Sequence, residues 1–122
     1  MVPKIAILED DLTMCSLLET LFTLEGYQVV ILQPEDGNFI LQQVNDENPS
    51  VLLFDVHLKY FNSIEITRTI RQSKSGKNML IVMVSGMDLR KDCLAAGANL
   101  FLLKPYMPEK LIDWVAEHLV IN

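Results

Sequence analysis

The sequence predicts an α/β domain built from five strands and five helices in strict alternation, a doubly wound three-layer sandwich around a parallel sheet. Three observations predict it. Five short apolar runs recur along the chain, at 4–8, 28–32, 51–56, 79–85 and 99–103. They are almost continuously apolar rather than alternating, the pattern of parallel strands covered on both faces. Stretches of helical periodicity lie between and after them, and 122 residues is the length of one domain.

Each element has its own signal. The first run, KIAIL, is followed at once by Glu9, Asp10 and Asp11, and Asp11 suits an N-cap. From there Met14, Leu17, Leu18, Leu21 and Leu24 recur at three- and four-residue steps, and Gly26 sits where a helix needs a left-handed residue to end. The second run, QVVIL, is β-branched. Phe39, Ile40 and Val44 mark a short helix that Pro49 closes off. The third run, VLLFDV, is apolar except for Asp55. Asn62 with Glu65 three residues on resembles a capping box, opening a helix over 62–74. After the fourth run, MLIVMVS, a short helix over 88–96 ends at Gly97. After the fifth, NLFLL, Pro108 opens the last helix, whose apolar face is Leu111, Ile112, Val115 and Leu119.

Composition excludes several classes of function. Half of the residues are hydrophobic and about a fifth charged, so the chain is neither disordered nor low-complexity. Sixteen acids against ten bases give a net charge of −6, which argues against direct nucleic-acid binding and against an anionic membrane surface. Cys15 and Cys93 lack a CxxC partner or a nearby His, and each reads as a small buried hydrophobe inside a helix. No run of about 18 apolar residues spans a membrane, and the N-terminus lacks a signal-peptide pattern. The expectation is a soluble protein of the cytoplasm.

Ligands of such sheets bind at the carboxyl ends of the strands. Strand one runs into Glu9, Asp10 and Asp11; strand three ends around Asp55; strand four ends in Ser85; strand five leads into Lys104 and Pro105. Crowded carboxylates at one edge repel each other, and a divalent cation relieves the repulsion. Hard oxygen ligands without clustered Cys or His favour Mg²⁺, which keeps waters and leaves room for a phosphate oxygen. With a lysine and a hydroxyl alongside, the set suits phosphoryl transfer, Asp55 being available as a nucleophile.

Four segments, ILEDD at 7–11, LLFDVHL at 52–58, VMVSG at 82–86 and AAGANLFLLKPY at 95–106, together resemble the receiver domain of two-component response regulators over essentially the whole chain. The resemblance implies a flavodoxin-like strand order of 2-1-3-4-5 and a single receiver domain over 1–122, stand-alone or part of a longer regulator. It implies that Asp55 accepts a phosphoryl group from a phosphohistidine, with Mg²⁺ as cofactor. Asp10 would be the more direct metal ligand, Glu9 would act largely through water, and Asp55 and the backbone carbonyl of His57 would complete the set. Lys104 would contact the phosphoryl group, Ser85 would turn toward it, and Phe101 would be the aromatic switch that moves inward afterwards. Pro105 matches a proline usually preceded by a cis peptide bond. The implied protein is a phosphoryl-accepting switch rather than an enzyme, although its site promotes the gain and loss of its own phosphoryl group. Its partners would be a sensor histidine kinase or histidine phosphotransfer protein and a downstream effector met by the face of helix four, strand five and helix five.

The chain departs from the family pattern in places. Lys59 and Ser63 stand where the family usually has Pro and Gly after the acceptor. The stretch from Ser85 to Gly97 is about three residues shorter than usual, which at about 3.6 residues per turn removes nearly a turn of helix four. That argues against the common symmetric dimer through helices four and five and leaves dimerisation by another face open. His57, two residues after the acceptor, and Met87 are expected to tune the lifetime of its phosphoryl group. The alternative reading is a pseudo-receiver, a protein-interaction module that is not phosphorylated. A haloacid-dehalogenase-like phosphatase would need an Asp at position 57 and its nucleophile on the first strand. Flavin binding would need a Gly- and hydroxyl-rich loop where Glu9, Asp10 and Asp11 stand.

Overall fold

The computed structural model describes residues 2–56 and 62–119. The elements run β1 (Lys4–Leu8), α1 (Leu12–Leu24), β2 (Gln28–Ile31), α2 (Gly37–Glu47), β3 (Val51–Asp55), α3 (Ser63–Gln72), β4 (Leu80–Ser85), α4 (Arg90–Ala96), β5 (Leu100–Leu103) and α5 (Pro108–His118). The sheet order is β2-β1-β3-β4-β5, and every adjacent pair is parallel. The expected architecture and strand order are both present.

Strand alternation divides the apolar runs between two cores. Ala6, Leu8, Leu52, Phe54, Ile81, Met83 and Phe101 face Ile40 and Val44 of α2, Ile66 and Ile70 of α3 and Cys93 of α4. Ile5, Ile7, Val51, Leu53, Val82 and Val84 face Cys15, Leu18 and Phe22 of α1 and Leu111, Ile112 and Val115 of α5. Continuous apolar runs are therefore buried on both faces, one residue to each core in turn. Both cysteines are free and buried, as their helical positions suggested.

Helix ends follow local chemistry. Asp11 caps α1 by accepting from the amides of Thr13 and Met14, and Asp36 caps α2 through Phe39. Asn62 caps α3 through Ile64 and Glu65, while the Glu65 carboxylate pairs with Arg68. Gly97 ends α4 at φ 118°. Pro108 begins α5. The short fourth helix begins at Arg90 rather than at residue 88, and two further expectations need correction. The α3 helix stops at Gln72, not Lys74, because Ser73 turns extended and its hydroxyl donates to the Ile70 carbonyl. In α1, Leu17 and Leu24 are exposed and Phe22 carries the contact instead. Apolar residues surround that helix, so spacing alone does not select its inner face.

Candidate functional site

The sheet carries the chemistry to one edge. Glu9 directly follows β1, Asp55 is the last residue of β3, Ser85 is the last of β4, and Lys104 directly follows β5. Pairing fixes their heights: Asp55 stands opposite Val84, Ser85 stands opposite Leu103, and the Lys104 amide donates to the Ser85 carbonyl at 2.8 Å. The sites are remote in sequence and adjacent in register.

Glu9 and Asp55 are buried, and Asp10 beside them is exposed. Each of the three can bring a carboxylate oxygen to within 4.8 Å of the other two. Lys104 enters from β5. Its Nζ donates to Asp55 Oδ2 at 2.9 Å and lies 3.2 Å from Glu9 Oε1. The peptide bond from Lys104 to Pro105 is cis, as expected.

The electrostatics follow from crowding. Burial first, then the hydrogen bond and charge of Asp55, push the Glu9 carboxyl up to about 8. Burial works against the Lys104 ammonium, but the hydrogen bond and charge of Asp55, reinforced by Glu9, outweigh it and raise it to about 12. Among the described residues one ammonium thus faces several carboxylates, and a second cation would relieve the remainder. The donor set fits a hard divalent ion: carboxylate oxygens converge, and the neighbouring Cys15 is held as a thiol by burial and the charge of Glu9.

The other expected residues divide. Ser85 is fully buried, and its Oγ accepts from the Met87 amide at 2.9 Å, tying it to the turn that opens toward α4. Phe101 is also buried, with the Arg90 guanidinium 5.5 Å from its ring centroid. Its ring already occupies the inward position, so the expected inward movement has no outward starting point in this structure. His57 and Lys59 lie outside the described residues. Met87 is exposed beside Ser85.

Two residues at the site escaped the sequence reading. Tyr106 lines a recess of about 360 Å³ with Glu9, Asp11, Met14, Lys104 and Pro105. Its hydroxyl is buried without a hydrogen-bond partner among the described residues, and burial followed by the charge of Glu9 raises it to about 12. Its place two residues after Lys104 was the only available signal. Ser63 was noticed as a departure, but its contact with the strand that bears Asp55 was not foreseen.

Comparison with known proteins agrees with this geometry. The family model described as "Response regulator receiver domain" matches residues 5–116. A protein of Bacillus subtilis (strain 168), described as the uncharacterized transcriptional regulatory protein YrkP, is 32% identical over 108 residues, covering 88% of this chain and 46% of its own length. The chain spans about half the length of the curated relatives it matches. A putative response regulator from Chloroflexus aurantiacus superposes with a TM-score of 0.84 at 28% identity, covering 96% of this chain and 97% of that one. The receiver domain of the sensor histidine kinase PA1611 from Pseudomonas aeruginosa, solved with a magnesium ion coordinated in its active-site cleft, superposes with a TM-score of 0.80 at 24% identity, covering 96% and 97% of the two chains.

Proposed function

Because the chain belongs to the response regulator receiver domain family, we propose that it is a phosphoryl-accepting switch whose acceptor is Asp55. The observation that carries this reading is the Lys104 ammonium bridging the buried Asp55 and Glu9 beside the exposed Asp10. Five of the expected site residues, Glu9, Asp10, Asp55, Ser85 and Lys104, stand at the carboxyl edge of one sheet.

The step is an in-line displacement at phosphorus. A carboxylate oxygen of Asp55 attacks the phosphoryl group of a phosphohistidine or a small phosphodonor. The P–N bond of the phosphohistidine breaks, its electron pair stays on the imidazole nitrogen, and that nitrogen takes a proton from solvent. Lys104 is placed to hold a phosphoryl oxygen as charge shifts onto it. Glu9, Asp10 and Asp55 would hold Mg²⁺, with the His57 carbonyl as a further ligand. The ion supplies charge neutralisation at the phosphoryl oxygens. Asp10, being exposed, would offer its carboxylate to such an ion from the solvent side.

The product is an acyl phosphate on a buried strand end, and its new charge biases a two-state element. Ser85 ends β4, the strand beside that of Asp55, and Phe101 lies on β5, the strand of the expected output face. The transmitted change at that surface is the output to an effector. The site promotes the gain and loss of its own phosphoryl group, so the protein is a substrate and switch. The test is incubation with a small phosphodonor and Mg²⁺, read by intact mass. A phosphoryl adduct on the native chain and none on Asp55→Asn supports the reading; a folded native chain that takes up no phosphoryl group overturns it in favour of a pseudo-receiver.

A further inference from the structure

The end of β3 is held by a side chain that neither the acidic site nor the lysine includes. The β1 ladder stops at Leu8 opposite Phe54, so the Asp55 carbonyl lies beyond its last pair. Ser63, the first residue of α3, sits directly against it. Its Oγ is 3.0 Å from the Asp55 carbonyl oxygen and 3.3 Å from that of Val56. Ser63 is almost fully buried, at 1% exposure. A buried hydroxyl at this distance from two carbonyls donates its single proton between them.

The contact continues inward. The Ser63 carbonyl accepts from Thr67 Oγ1 at 2.9 Å, and Thr67 Oγ1 lies 3.5 Å from Met83 Sδ on β4. Asn62 caps the same helix end from outside. The strand end is thus joined to the first turn of α3, and that turn is seated against β4. A glycine at position 63 would leave this anchor out.

We propose that Ser63 is a positioning residue for the acceptor. Its hydroxyl fixes the main chain of residues 55 and 56, and through it the direction of the Asp55 carboxylate. This rests on the receiver reading above, since it assigns Ser63 to the same metal and phosphoryl site. Outer partners of metal ligands characteristically change affinity or activity by about 10- to 100-fold when removed. The expected effect of Ser63→Ala is therefore a rise of about 10-fold in the Mg²⁺ dissociation constant, with a matching fall in the phosphorylation rate.

The experiment titrates Mg²⁺ alone by calorimetry and follows phosphorylation by a small phosphodonor, on the native chain, Ser63→Ala, Ser63→Gly and Thr67→Val. Thr67→Val removes the neighbouring buried hydroxyl without touching residues 55 or 56. It is expected to lower the melting temperature while leaving Mg²⁺ affinity and phosphorylation within about twofold, a change below about 0.4 kcal/mol. If Ser63→Ala does not fold, Ser63→Gly, which also removes the hydroxyl, carries the test. A Ser63 variant that melts lower yet binds Mg²⁺ and gains phosphate like the native chain would overturn the proposal and leave the hydroxyl purely structural. A native chain that neither binds Mg²⁺ nor gains phosphate overturns the receiver reading instead.

Discussion

Lys104 stands between two buried carboxylates, and its contribution separates into charge balance for those acids and charge for the transfer. Removing a preorganised charge from a transfer site costs on the order of 10²-fold in rate. Lys104→Ala is accordingly expected to slow phosphorylation by about that factor. It should not abolish Mg²⁺ binding, because the three carboxylates remain and a neighbouring positive charge is gone. Rapid-mixing phosphorylation together with a Mg²⁺ titration checks both halves; an unchanged rate contradicts the role given to Lys104. At this scale the acids, Ser85 and Lys104 were legible because each directly follows or ends an apolar run. Tyr106 and Arg71 were not. Arg71 donates from Nε to the Gly97 carbonyl at 2.8 Å and from Nη1 to the Gly76 carbonyl at 2.7 Å, partners scattered over two loops with no fixed spacing to reveal them.

At the scale of elements, two helix ends offer direct tests. Gly97 ends α4 at φ 118°, and a Cβ added there would lie 2.5 Å from Arg71 Cγ. Gly97→Ala combines backbone strain with displacement of that arginine, and an unfavourable backbone conformation alone costs about 1–3 kcal/mol. The expected loss is of that order, read from the urea midpoint; a loss below about 0.5 kcal/mol contradicts it. Asn62 caps α3 with two hydrogen bonds. Asn62→Ala is expected to cost about 1 kcal/mol by the same measurement, and an unchanged midpoint contradicts the cap's contribution. Strand placement was legible from the apolar runs, since both faces of the sheet are covered. The inner face of α1 was not: Leu12, Leu17 and Leu24 are exposed, whereas Cys15, Leu18 and Phe22 are buried. Only packing against β2 and α5 chooses among residues that hydropathy alone cannot rank.

Over the whole molecule, the acidic site couples stability to pH and to metal. The Glu9 carboxyl sits at about 8 in the folded protein against an ordinary 4.5. The folded state therefore holds this proton more tightly than the unfolded one. The associated stability is fully present below about pH 4.5 and is lost as pH rises through about 8. Lys104, raised from 10.5 to about 12, contributes in the opposite region: its stability is complete below 10.5 and does not change across the neutral range. The metal-free protein is thus expected to melt several degrees lower at about pH 8 than at about pH 5. Added Mg²⁺ replaces the proton with a cation, so its stabilising shift should be larger at the higher pH. Thermal melts in chelator and in Mg²⁺ check this, and a Mg²⁺ shift that shrinks as pH rises contradicts the assignment of Glu9 to the metal site.

The central claim is that Asp55 is a phosphoryl acceptor. The most direct measurement is the intact mass of the native chain and of Asp55→Asn after incubation with a small phosphodonor and Mg²⁺. The expected result is one added phosphoryl group on the native chain, removed by chelating the metal beforehand, and none on the variant. A folded native chain with unchanged mass, or an adduct of equal yield on Asp55→Asn, contradicts the account.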